Sequence, residues 1–311
     1  DGDAGVGTIY NYYATGAPEF LTGGLRYCRF WADVIVDHRD FTVHQWIGGW
    51  PWKTCAYTKF RDVLYGWLET GDPWLLDTVE QVAETHWAWF RTNWPRNSVG
   101  RDAFEIGGWG LLWRYLASER AHERCREYLR MIGEVLRDRG VIGGQMGAGP
   151  HPGYHASLYM TGVVMVSLLE VAEAARNHGD EALIATLPPM LRKLHQHYMR
   201  EDVEMFPSNW GHPVKWSPEQ WSVWFSHGAR IYTASAHLFK DDAALWQAGR
   251  SRGYERATIS HQEWAIHGRW GTHFITPWVH DALLLAARWQ RETLVMTPIA
   301  GPEDWPTTQV V

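Results

Sequence analysis

The sequence predicts an all-α protein built as a toroid of paired antiparallel helices. Three observations favour this fold class. A motif that ends one helix and begins the next recurs along the chain, the residues between its copies follow helical periodicity, and connections are alternately short and long. No linker divides the 311 residues, so we expect a single domain over 1–311 with an irregular tail from Thr297.

The recurring motif is a glycine-containing reversal between two helices. Residues 13–18 read YATGAP, and residues 68–73 read LETGDP, 55 residues later. Weaker copies begin at Tyr115, Asn177 and Phe239. Glycine ends helices in the left-handed conformation, and Asp or Pro begins them as an N-cap or first-turn residue. Each copy therefore predicts a tight turn between antiparallel helices.

The helices before these turns are the more apolar, so we expect them to form an inner ring inside a more charged outer ring. The predicted inner helices are 5–14, 53–70, 101–117, 154–177, 219–239 and 275–292. The predicted outer helices are 18–37, 73–93, 119–138, 180–201 and 241–255. No alternation of apolar and polar residues is long enough to predict a strand.

Composition excludes several classes of protein. The net charge is −6 without a basic block, so no nucleic acid is expected as a partner. No run approaches the length of a membrane span, and three distant cysteines give neither a disulfide framework nor a zinc site. No metal site or other cofactor is predicted, and a calcium requirement is left open. The first residues, DGDAGVG, show no signal-peptide pattern and suggest a processed or excised chain, so the location stays unknown.

The long connections all run from an outer helix to the next inner helix. They are residues 38–52, 94–100, 140–153, 202–218 and 256–274. In a ring of antiparallel hairpins they emerge together, around the N-termini of the inner helices, where free N–H groups favour an anion. Connections of this length in a compact domain are usually functional, so we expect a shared pocket there.

Aromatic, histidine and amide residues concentrate in these connections. The 21 Trp residues exceed the needs of packing, and aromatic faces also stack on sugar rings. The candidate catalytic residues are Tyr154, His155, His212 and His44. The candidate substrate-binding residues are Asn97, Arg101, Asn209, Trp46, Trp50, Trp52, Lys53, Trp210 and His151. Capping, packing and loop closure are alternative roles for the same residues.

Four segments carry a resemblance to a known group of enzymes. They are Tyr13–Phe20 (YATGAPEF), Trp31–His38 (WADVIVDH), Tyr57–Pro73 (YTKFRDVLYGWLETGDP) and Gly100–Leu111 (GRDAFEIGGWGL). They resemble the (α/α)6 toroids of carbohydrate-active enzymes, most closely the helical domain of rhamnogalacturonan exo-lyase-like proteins. The resemblance spans about residues 8–290 and implies a complete or incomplete ring that acts on an oligo- or polysaccharide.

The groups in the connections suit a lyase better than a hydrolase. A uronate lyase needs donors that neutralise a carboxylate, here Asn97, Arg101 and Asn209, and a base or acid such as Tyr154 or His155. A glycoside hydrolase needs two carboxylates about 5–10 Å apart, and no acidic pair stands in a distinctive motif. We therefore predict β-elimination on a uronic-acid-containing saccharide. A six-hairpin glycosidase, a sugar epimerase and a non-catalytic carbohydrate-binding or scaffold domain are the alternatives.

Overall fold

Helices account for most of the chain that the structure, a computed structural model, describes, and this confirms the all-α class. The described residues are 4–44, 53–54, 60–93, 99–139, 144–146, 154–156, 158–198, 234–235, 238–243 and 245. The α-helices among them are α1 (Ala4–Thr15), α2 (Pro18–Phe30), α3 (Arg61–Thr70), α4 (Pro73–Asn93), α5 (Val99–Leu116), α6 (Glu119–Arg139), α7 (Leu158–His178) and α8 (Glu181–Tyr198). A π-helical turn, Trp31–Ile35, extends α2.

Short strands occupy parts of two long connections, so the expectation of no strand is wrong. They are β1 (Val36–Asp37), β2 (Thr42–His44), β3 (Lys53–Thr54), β4 (Gly144–Met146) and β5 (Tyr154–Ala156). The first three form an antiparallel sheet in the order β1-β2-β3, and β4 pairs with β5 in an antiparallel ribbon. Strands of two or three residues carry too little alternation for the sequence to reveal them.

Helix boundaries agree with the prediction at the tight turns and differ at the strands. Helix α4 spans the predicted residues 73–93. The inner helices predicted from residues 53 and 154 begin later, at Arg61 and Leu158, because the backbone before them is paired in β3 and β5.

The outer helix predicted over 18–37 also ends early, since its last two residues form β1. Of the helices predicted over 219–239 and 241–255, the structure describes helical residues at 234–235, 238, 243 and 245. The predicted helix 275–292 and the tail from residue 297 lie outside the described residues.

The tight turns follow the mechanism expected from the motif. The left-handed glycines have φ angles of 73° at Gly16, 67° at Gly71 and 68° at Gly179. In the turn before α6 the same conformation falls on Ala117, with φ 50°. Asp72 Oδ1 accepts the Trp74 N–H at 3.0 Å, so the aspartate caps α4 as predicted.

Asp180 caps α8 in the same way and also joins two outer helices. Its Oδ1 accepts the Leu183 N–H at 3.0 Å, and its Oδ2 lies 2.7 Å from Nε2 of His122 in α6. Burial raises the pKa of this carboxyl, but the hydrogen bonds from Leu183 and His122 and the charge of Arg126 outweigh burial, so the pKa lies below its ordinary value.

Successive inner helices run parallel, and α1 and α3 show this most clearly. The Val6 N–H donates to Asp62 Oδ1 at 2.7 Å, across 56 residues. The hydroxyls of Tyr10 and Tyr65 lie 2.9 Å apart, across 55 residues, and the Tyr13 hydroxyl donates to Glu69, across 56 residues. Because the separation in sequence stays constant along the contact, the two helices run in the same direction and in register.

Helix α5 packs between α3 and α7 through a glycine-rich face. A Cβ on Gly108 would lie 2.4 Å from ring atoms of Phe60, and a Cβ on Gly110 would lie 3.0 Å from the backbone of Glu170. Both distances are shorter than a carbon–carbon contact of about 3.5–4.0 Å. The absence of side chains at 108 and 110 therefore allows the close approach of these inner helices.

The outer helices repeat the parallel arrangement. Helix α4 meets α6 through the ion pair of Arg91 Nε with Glu127 Oε1, at 3.1 Å. Helix α6 meets α8 where the Lys193 ammonium donates to the Leu136 carbonyl, at 2.9 Å and 57 residues away. Each hairpin is thus a copy of the previous one, displaced sideways in the same orientation. The buried apolar core fills the space between the two layers, as at Leu64, Leu111, Ile132 and Leu187.

Candidate functional site

The parallel stacking of the hairpins places unlike connections at opposite ends of the array. The tight turns lie at one end. At the other end an outer helix finishes, a long connection follows, and the next inner helix begins. The three-stranded sheet between α2 and α3 and the ribbon between α6 and α7 both lie in such connections. We call this end, marked by the N-termini of α3, α5 and α7, the ribbon end.

Five of the predicted site residues lie within described elements, and all five belong to the ribbon end. His44 in β2 and Lys53 in β3 are direct partners across the strands. In β5, Tyr154 is paired with Met146, and His155 is paired with Gln145.

The fifth, Arg101, lies in the first turn of α5, since this helix begins at Val99. The inner-helix position expected for Tyr154 and His155 is wrong, because antiparallel pairing with β4 holds their backbone extended before α7 begins. Lys53, expected at the start of an inner helix, is likewise in a strand. The remaining predicted residues lie outside the described part of the chain: Trp46, Trp50, Trp52, Asn97, His151, Asn209, Trp210 and His212.

Sequence reasoning missed a group of charged residues buried inside the inner layer. Arg61 Nη2 donates to Glu170 Oε1 at 3.1 Å, and both side chains are 2% exposed. Asp62 is fully buried and accepts the Val6 N–H, so a residue of α3 caps the first turn of α1. Buried charges are stable only when they are paired or hydrogen-bonded. The sequence signal that could have revealed this group is a charged residue within a mainly apolar inner helix, as at Glu170.

A row of tyrosines links the inner helices nearer the tight turns. The Tyr65 ring meets Tyr10 and Tyr115 edge-on, with ring centroids 5.7 and 6.4 Å apart. Burial, and then the neighbouring Tyr10, Tyr115 and Glu170, raise the pKa of Tyr65 well above its ordinary value. A phenol with a raised pKa is a poor general base at neutral pH, so this row fits a structural role.

The described cysteines are poor candidates for a nucleophile. Cys28 and Cys125 are both buried with free thiols, and burial raises the pKa of each. A thiol attacks as its thiolate, which such burial disfavours.

The described ranges contain no cluster of three His, Cys, Asp or Glu residues that would hold a metal ion. Among the described helices, none has the length and apolar character needed to cross a membrane.

Comparison with known proteins assigns no family to the chain. No family model matches it, and no curated protein is significantly similar to it. The resemblance to the toroidal carbohydrate-active enzymes therefore stays a prediction that rests on the motifs.

Proposed function

We propose that the chain is a lyase that cleaves a uronic-acid-containing saccharide by β-elimination at the ribbon end. The observation that carries the proposal is the parallel register of the hairpins. It brings the connections that bear His44, Lys53, Tyr154 and His155 to the same end as the N-termini of three inner helices. Helix N-termini and cationic side chains stabilise a carboxylate and the negative charge that develops when its α-proton leaves.

The proposed reaction needs a base, an acid and groups that neutralise a carboxylate. Tyr154 or His155 takes the proton from the carbon next to the uronate carboxylate. The electron pair of that C–H bond forms a carbon–carbon double bond, and the bond to the glycosidic oxygen breaks. The leaving oxygen is protonated by the acid partner, for which His44 and His212 are the further candidates. Arg101, Lys53, Asn97 and Asn209 neutralise the carboxylate.

The supporting fold is proposed to be an (α/α)6 ring, complete or incomplete. Four hairpins succeed one another in the same direction between residues 4 and 198. A further turn follows the same pattern, since Asp242 Oδ1 accepts the Leu245 N–H at 3.1 Å, as Asp180 does for Leu183. A ring would bring the later connections, with Asn209 and His212, to the ribbon end.

The buried carboxylates do not support the alternative of a glycoside hydrolase. Asp62 caps α1 and Glu170 pairs with Arg61, and both are almost inaccessible to solvent. Neither carboxylate is therefore placed to act as the acid or base that a glycoside hydrolase requires.

The test is the chemical form of the product. The protein is incubated with a panel of uronate polymers, and the products are analysed by ultraviolet absorbance and mass spectrometry. A lyase yields an unsaturated uronate, and its two fragments together have the mass of the substrate. Fragments that together contain one added water would identify a hydrolase and contradict the proposal.

Matched variants locate the reaction. His155→Ala should lower kcat by about 10²-fold or more, the usual contribution of a general acid or base. His195→Ala, on outer helix α8, is the control and should leave kcat unchanged. Equal rates in both variants would contradict the role of His155.

A further inference from the structure

An open groove of about 440 Å³ lies on the outer wall between α4 and α6. Its lining residues are Glu84, Trp87, Ala88, Arg91, Thr92 and Arg124. The volume falls in the range of about 300–1,000 Å³ that is usual for small-ligand sites. No residue of the groove belongs to the site proposed above.

Arg124 is a cation whose donors are not used by its neighbours. Its side chain is 24% exposed and its guanidinium lies over the Trp87 ring, 5.0 Å from the centroid. The nearest carboxylate oxygens, on Glu84 and Glu127, lie 3.8 and 3.7 Å away, beyond hydrogen-bond distance. Its buried Nε has no acceptor within the described part of the chain.

Trp87 contributes a second buried donor in the same wall. Its side chain is 2% exposed, and Phe90 and Trp109 contact its ring at centroid distances of 5.7 and 6.2 Å. Its indole Nε1 is also buried and finds no acceptor among the described residues. Buried N–H groups in native proteins nearly always have an acceptor, whether protein, water or ligand. An acceptor that entered the groove would lie beside Trp87 and Arg124, which both line it.

The charge around the groove favours an anionic acceptor. Two arginines, Arg91 and Arg124, line it, and a third, Arg120, pairs with the lining residue Glu84 at 3.2 Å. Arg91 pairs with Glu127 at 3.1 Å. Arg124 lies within ion-pair distance of both glutamates, so the three arginines exceed the two glutamates by one positive charge. Arginine binds carboxylates and related oxyanions through its planar array of donors.

The groove also lies close to the ribbon end. Arg91 and Thr92 belong to the last turn of α4, and the Thr85 hydroxyl donates to the carbonyl of Asp40, between β1 and β2, at 3.4 Å. We propose that the groove is an accessory site that binds a carboxylate of the acidic saccharide outside the catalytic pocket, through Arg124 and the Trp87 indole. The choice of ligand rests on the proposed lyase function, whereas the anion site rests on the groove itself.

Three probes distinguish the sources of the oxyanion. They are an oligogalacturonate, its methyl-esterified and uncharged counterpart, and inorganic phosphate. Binding is followed by calorimetry and by the indole N–H resonance of Trp87 in ¹⁵N-labelled protein, which is assigned from its loss in Trp87→Phe. The oligogalacturonate should shift this resonance and the ester should not. Phosphate that binds as tightly as the oligogalacturonate would overturn the saccharide assignment.

Variants of the groove test the two donors. Arg124→Gln and Trp87→Phe should each weaken oligogalacturonate binding about tenfold, the loss expected for one hydrogen bond to a charged group. Arg130→Gln removes an exposed cation of α6 that pairs with Glu134, outside the groove, and should retain the wild-type affinity. Equal affinities for Arg124→Gln, Arg130→Gln and wild type would overturn the proposal, even if Trp87→Phe did not fold.

The two proposals fail separately. A shifted Trp87 resonance without unsaturated product would retain the groove and refute the lyase. Unsaturated product without any shift would retain the lyase and refute the groove.

Discussion

Replacement of Gly108 by alanine tests the close approach of α5 to its neighbours. The added Cβ would lie 2.4 Å from Cε2 and Cζ of Phe60, about 1.2 Å inside normal contact. Phe60 is fully buried, so its ring cannot relieve the clash by moving into solvent. Overpacking of this kind costs about 1–3 kcal/mol. We expect the upper end here, because the clash is deep and its partner is enclosed.

Alanine also favours the helix over glycine by about 1 kcal/mol, which offsets part of the steric cost. The net expectation for Gly108→Ala is a loss of about 2 kcal/mol in the free energy of unfolding. Gly23→Ala in α2 is the matched control, since its Cβ would lie 3.6 Å from Thr8 Cγ2 and meet nothing closer. The control should gain about 0.5–1 kcal/mol.

Equilibrium urea unfolding, followed by circular dichroism, measures both variants. The double variant Phe60→Leu, Gly108→Ala separates the clash from other effects, because a smaller side chain at 60 should recover part of the loss. A coupling of about 1–2 kcal/mol between the two sites is expected. A Gly108→Ala protein as stable as Gly23→Ala would refute the packing of α5 against Phe60.

Three further predictions concern capping, pH and buried charge. Ala117→Gly should stabilise the protein by about 1 kcal/mol, because glycine adopts a φ of 50° without strain; a lower thermal midpoint would contradict this. The pKa of Asp180 is lowered in the fold, so its charge stabilises the protein fully above about pH 4, and this stabilisation is lost as the pH falls toward the folded pKa. The stability difference between wild type and Asp180→Asn in urea should therefore shrink below about pH 4, and a constant difference would refute the assignment. Glu170→Gln removes the negative charge that pairs with the buried Arg61 and should cost about 3 kcal/mol, whereas the exposed Glu134→Gln should cost less than about 0.5 kcal/mol; equal losses would contradict the distinction.

The helical hairpins could be predicted because their signals are local. Each tight turn needs a residue that tolerates the left-handed conformation and a side chain that caps the next helix, and both can be recognised within six residues. Gly71 and Asp72 meet the two requirements directly. Ala117 shows the limit of the rule, since its left-handed conformation has no signature in the sequence.

The features that sequence reasoning missed depend on partners that the local pattern of residues does not reveal. The predicted helices 53–70 and 154–177 include Lys53 and Tyr154, but the backbones of these two residues pair with strands in the same connections. The pairing of Arg61 with Glu170 spans 109 residues, and the two become neighbours only when α3 and α7 pack against α5. Contacts between side chains of different connections at the ribbon end likewise depend on residues that are far apart in sequence.

Hydrogen–deuterium exchange with and without a saturating oligouronate tests most directly whether the ribbon end is the binding face. Slower exchange is expected in the bound state in peptides that contain β2, β3 and β5. Exchange should stay unchanged at the tight turns around Gly16, Gly71 and Gly179, at the opposite end. Protection confined to those turns, or no protection at the ribbon end in the presence of bound ligand, would contradict this expectation.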